Sequence, residues 1–163
     1  MNNNINNISF KSKFEVAAGI KNKFAYRYSI PKKLENSLKD KFEKVTKEDD
    51  FILELAESYP GSKYSKFLLK QADEILASSH EEFLSDSKNM AVAKLVKVYN
   101  KLLLKKNYNA EIQKINEEYL SKKRAFTQRN DRGKLVDLER DYLQKINELN
   151  ATYDKLFQVK LYG

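Results

Sequence analysis

One pentapeptide occurs twice in the C-terminal third of this sequence, as Gln113, Lys114, Ile115, Asn116, Glu117 and again as Gln144, Lys145, Ile146, Asn147, Glu148. Between the copies stands Arg129, Asn130, Asp131, Arg132, Gly133, a concentrated turn signal. Equal segments on either side of a turn predict two consecutive helices folded back on each other. With the reversal centred between Asn130 and Asp131, Ile115 faces Ile146, Lys114 faces Glu148 and Glu117 faces Lys145. An apolar contact flanked by two exposed ion pairs, each contributing about 0–1 kcal/mol, specifies register more than stability.

The flanking residues extend the pattern. The first arm places Tyr108, Ile112, Ile115, Tyr119 and Phe126 on one stripe, with Lys122 interrupting the heptad; the second places Leu135, Leu138, Tyr142, Ile146, Leu149, Tyr153 and Leu156. Residues 108–161 therefore read as an antiparallel coiled-coil-like hairpin. The competing geometry is one uninterrupted helix that takes Gly133 inside it at a cost of about 1 kcal/mol and needs a partner chain to bury its seam.

Upstream, Pro31 followed by Leu34, Leu38, Phe42 and Val45 predicts a helix ending near Val45. Thr46 with Glu48, Asp49 and Asp50 reads as the start of a second helix, with Phe51, Ile52, Leu55, Ala56 and Tyr59 on its buried face. After a break at Tyr59, Pro60, Gly61, Ser62, a third helix would use Tyr64, Phe67, Leu68, Ala72, Ile75 and Leu76. Ser79 with Glu82 forms a capping box for a helix starting at His80. From Met90 a further helix carries Val92, Leu95, Val96, Tyr99, Leu102 and Leu103, closed by a turn at Lys106, Asn107, Tyr108, Asn109. Residues 1–7 are Asn-rich and read as a disordered leader. Over residues 8–30, Ile8, Phe10, Phe14 and Val16, then Phe24, Tyr26, Tyr28 and Ile30, alternate with the period of a strand, so a short β-hairpin or an extended coil fits. Four Gly and two Pro leave too few turns for an all-β chain. The expected fold is all-α: a bundle of five or six helices over residues 31–163, with the C-terminal hairpin and an extended N-terminal segment.

Tyr59, Pro60, Gly61, Ser62 and Tyr64 resemble a turn of tetratricopeptide-type helical repeat proteins. The likeness is confined to that turn, and the repeat of about 34 residues that such a family requires is missing, so no function is carried over.

The chain has no cysteine, which removes thiolate nucleophiles and Cys-based zinc sites. Its one histidine, His80, falls in a first helical turn beside Glu81 and Glu82, where a solvated side chain is the simplest account. The glycines at 19, 61, 133 and 163 are isolated, so there is no phosphate-binding loop. No Glu-x-x-His repeat of a di-iron bundle occurs. Catalysis, cofactors and a small-molecule substrate are accordingly not expected, and neither is a signal peptide or a membrane span; the expectation is a soluble, cytoplasmic protein.

Net charge is +8 with pI near 9.4. Lysine dominates, with Arg only at 27, 124, 129, 132 and 140, a balance that favours non-specific phosphate contact over base reading and that AT-rich coding also produces. The densest basic cluster is at the hairpin tip: Lys122, Lys123, Arg124, Arg129, Arg132 and Lys134, with Asp131 the one acid among them. A second set, Lys94, Lys97, Lys101 and Lys105, forms a helical stripe. Two functions follow as expectations. The first is a non-enzymatic helical module or scaffold that binds another protein or itself; the second is a nucleic-acid-binding protein gripping phosphates through residues 122–134.

Overall fold

A computed structural model describes residues 12–18, 20, 32–46, 50–62, 64–80, 82–83 and 91–162. The chain divides into two compact units, Met1–Leu102 and Leu103–Gly163. The fold is mixed α/β, which corrects the all-α bundle. In order the elements are β1 (Lys13–Val16), α1 (Lys32–Val45), β2 (Ile52–Glu57), β3 (Tyr64–Gln71), β4 (Glu74–Ser78), β5 (Glu82–Phe83), α2 (Val92–Gln128) and α3 (Arg132–Tyr162). Residues 1–7 and the run 24–30 lie outside the described residues.

The first unit is built on a sheet with neighbours in the order β1-β2-β3-β4, and β5 pairs with β3. β1 lies parallel to β2, Phe14 opposite Leu53 and Val16 opposite Leu55. Parallel neighbours need a crossover, and α1 lies within it. The first of the two N-terminal runs thus supplies a strand parallel to β2. β2, β3 and β4 then run as an antiparallel meander, with Leu53 opposite Leu69 and Leu55 opposite Phe67.

The two segments expected as helices after Thr46 are strands because their apolar residues recur every second position. Leu53 and Leu55, then Ser65, Phe67 and Leu69, fall on one buried face. Ala56 and Leu68 are also buried, and this second apolar row made the segments legible as helical stripes. The reversal between them is a type II turn. Pro60 supplies the fixed φ, Gly61 the positive one (94°), and Ser62 N–H donates to Tyr59 C=O at 2.9 Å. The tetratricopeptide-like turn is therefore a hairpin turn. Thr46 does not open a helix: its Oγ1 and N–H both donate to Phe42 C=O and close α1. Ser79 is no helix cap either. Its N–H donates to Phe67 C=O at 2.8 Å and its Oγ accepts from Phe67 N–H at 2.9 Å, bridging the gap between β4 and β5.

The core lies where α1 and the first turns of α2 meet the Phe14 and Val16 face of the sheet. Phe42 contacts Phe14 (centroids 6.2 Å) and stands edge-on to Tyr99 (5.4 Å), and all three are buried. Leu38, Leu95 and Leu102 complete it. Each such side chain stabilises by about 1.5–3 kcal/mol through burial. Ser12 Oγ and the Tyr99 hydroxyl hydrogen-bond at 2.7 Å inside it, tying the start of β1 to α2. On the opposite sheet face Lys70 Nζ bonds Glu54 at 3.2 Å, both side chains partly covered.

α2 continues without a break through Lys106, Asn107, Tyr108 and Asn109, where a turn was expected. Asparagine is a weak helix former, and tertiary contacts override it here: Tyr108 and the residues after it pair with α3. Residues 92–102 of this helix belong to the first unit and residues 103–128 to the second. No helix of the described residues is long and apolar enough to cross a membrane.

Candidate functional site

The second unit is an antiparallel pair of helices, the end of α2 and the whole of α3, and its reversal is built from backbone groups. Asn130 adopts φ 55°, the left-handed value that a residue just past a helix end takes. Asn130 N–H donates to Thr127 C=O and Asp131 N–H to Phe126 C=O, both at 3.1 Å. These are the two bonds of a Schellman motif. Asp131 then caps α3: its Oδ1 accepts from Lys134 N–H at 3.2 Å and its C=O from Leu135 N–H. The backbone bond from Lys134, and the Lys134 ammonium at 3.1 Å, hold the Asp131 carboxyl below the usual carboxylate range.

All six basic residues of the expected tip, Lys122, Lys123, Arg124, Arg129, Arg132 and Lys134, are exposed and lie within a short distance of this reversal in sequence. Lys123 Nζ lies 5.3 Å from the centre of the Tyr119 ring and Lys134 Nζ 5.8 Å from that of Phe126. The stripe is different. Lys94, Lys97 and Lys105 each engage another group, and Lys105 is separated from Lys122 by about 25 Å along the same helix. Lys94, Lys97 and Lys101 belong to the first unit, and Lys105 and the tip to the second.

Along the hairpin the rings meet in mirror positions about the turn: Tyr119 lies tilted over Tyr142 at 4.4 Å and Tyr108 stands edge-on to Tyr153 at 5.3 Å. Each of three tyrosine hydroxyls donates across the seam, Tyr142 to Asn116, Tyr108 to Asn150 and Tyr153 to Glu111, all at 2.8 Å. Burial, followed by Glu111, raises the Tyr153 phenol to about 12. Sequence reasoning placed these tyrosines on the stripes but missed their hydroxyl partners. The signal was present, because Tyr108, Tyr119, Tyr142 and Tyr153 stand symmetrically about Asn130 and Asp131.

The ion pairs expected between the repeats are not formed. Lys145 bonds Glu118 at 3.3 Å, not Glu117. Glu117 and Glu148 instead accept from the Gln four residues earlier in their own copies, Gln113 at 2.9 Å and Gln144 at 2.8 Å. Both copies thus make the same contact within their own helix. The coiled-coil reading is likewise corrected: the seam is held by ring contacts and hydroxyl bonds, and its middle stays half-exposed. Beside it runs a groove of about 310 Å³, floored by Ile115, Tyr119, Leu138 and Tyr142 and rimmed by Glu118, Lys122, Asp141, Lys145 and Glu148. On the remaining surface Leu120, Val136 and Leu143 are 49–59% exposed. Among the described residues no cluster of three or more His, Cys, Asp or Glu could hold a metal ion. Comparison with family models, curated proteins and solved structures finds no match to this chain.

Proposed function

We propose that this protein is a protein–protein interaction module whose docking element is the helical hairpin of the second unit. One observation carries the reading: the hairpin covers its own apolar seam only in part. Leu149 and Tyr153 are buried, whereas Ile112, Ile115, Tyr119, Phe126, Leu135, Leu138, Tyr142 and Ile146 remain half-exposed. Two helices bury one stripe between them, and helical bundles ordinarily close such a seam with a third or fourth helix. An apolar floor between charged rims suits the apolar face of another helix.

The test is capture on the immobilised full chain, followed by mass spectrometry, comparing the parent protein with Leu138→Glu. The expected result is a defined partner that is lost with Leu138→Glu and kept when Arg124, Arg129 and Arg132 are changed to Gln. Equal recovery on the parent and Leu138→Glu would remove the reading.

A second reading rests on the tip, where six exposed bases surround one acid that Lys134 already neutralises. It treats the turn as a grip for nucleic-acid phosphates. Oligonucleotide anisotropy tests it: binding should weaken steeply with salt and with the same triple Gln variant, and absence of binding at low salt ends it.

A further inference from the structure

We propose that the partner seated in the groove is a second copy of this chain, with the two hairpins packed antiparallel about a two-fold axis. This rests on the interaction reading above and names its occupant.

The argument is the order of charge along the two rims. On α2 the acid Glu118 precedes the base Lys122 by one helical turn, and on α3 the acid Asp141 precedes the base Lys145 by the same interval. Residues four apart lie on one face of a helix, so each rim presents an acid and a base side by side. When two such rims meet antiparallel about an axis midway between acid and base, the Glu118 of each copy stands against the Lys122 of the other. The same holds for Asp141 and Lys145.

One axis must serve both rims at once, and the hairpin register allows it. The midpoints are residue 120 on α2 and residue 143 on α3. Tyr119 lies over Tyr142 and Glu118 bonds Lys145, which puts these midpoints level to within a turn. The axis therefore crosses the groove at its Tyr119 and Tyr142 floor, and each copy lays half-exposed rings and Ile115 and Leu138 on those of the other. Within one copy Lys122 and Asp141 have no ion-pair partner among the described residues, and this packing supplies one to each. Charge also argues against the main alternative. The rims carry three acids against two bases on a chain of net charge +8, so the groove is the wrong surface for a polyanion and the right one for a copy of itself.

Sedimentation of the full chain across the micromolar range tests the proposal, with circular dichroism to verify folding of each variant. The parent is expected to shift from monomer to dimer with concentration. Lys122→Glu places acid against acid and Glu118→Lys places base against base, so each alone should weaken self-association by about tenfold or more, both substitutions counting twice by symmetry. Mixing the two variants should restore a dimer, because Glu at 122 of one then meets Lys at 118 of the other. A parent that stays monomeric throughout overturns the proposal, as do single variants that associate like the parent or a mixture no better than its components. A monomeric parent that still captures a partner through Leu138 would sink self-pairing alone, leaving the interaction reading standing; a monomeric parent with no Leu138-dependent capture would sink both.

Discussion

Tyr153 concentrates several forces in one side chain: it is 7% exposed, its ring packs on Tyr108 and Phe157, and its hydroxyl donates to Glu111. Its phenol, raised from 10.0 to about 12, binds its proton more tightly in the native hairpin than in the unfolded chain. The resulting stability is complete below pH 10 and is lost as pH rises from there to about 12. Urea unfolding on either side of pH 10 should show this loss, and Tyr153→Phe should flatten it. Asp131 acts at the other end of the scale. Its lowered carboxyl contributes above the ordinary carboxylate value and loses that contribution as pH falls, so acid should fray the start of α3 first. At Ala72 the backbone itself is strained: φ is 50° in the two-residue turn from β3 to β4. Ala72→Gly should raise stability by about 0.5–1 kcal/mol, measured by thermal melting.

Among the elements, the turn between α2 and α3 is the one whose chemistry can be read residue by residue. Asn130 tolerates the left-handed backbone through its short polar side chain; Asn130→Val should cost about 1–2 kcal/mol, and Asn130→Gly should cost nothing or stabilise slightly, in chemical denaturation followed by circular dichroism. That turn was legible in the sequence because its causes are local. So was α1, where Leu38 and Phe42 lie at helical spacing on the buried side, although Val45 at its end faces solvent. The strands were not legible. Ile52, Leu53, Leu55 and Ala56 put apolar groups on both faces of β2, and a run of that kind satisfies a helical period as well as an alternating one. What decides between them is pairing with Phe14, Phe67 and Leu69, and no local pattern records pairing. Pro60 and Gly61 carried the correct information, since their order specifies a type II turn, but a helix break and a hairpin both begin with those residues. In the candidate site the basic tip was legible from residue type alone. The groove was not, because it depends on which sides of two helices the rings leave uncovered.

For the whole molecule, the feature that organises stability is one helix shared by two units: α2 gives Leu95, Tyr99 and Leu102 to the first and Tyr108, Glu111, Asn116 and Tyr119 to the second. Lys106→Pro removes a backbone bond in the shared segment and should cost about 3 kcal/mol, with melting of the ring-rich hairpin and of the sheet separating into distinct transitions. If Tyr fluorescence and far-ultraviolet circular dichroism still report one coincident transition, the helix is not what couples them. The sheet imposes a different constraint, one of time. β1 leaves the ribosome well before β2, the strand it pairs with, and α1 lies between them. At ordinary translation rates Phe14 and Val16 wait roughly 2–8 s for Leu53 and Leu55 to be made. For that interval the nascent chain displays an unpaired apolar strand, which makes its first described element the one that chaperones would hold.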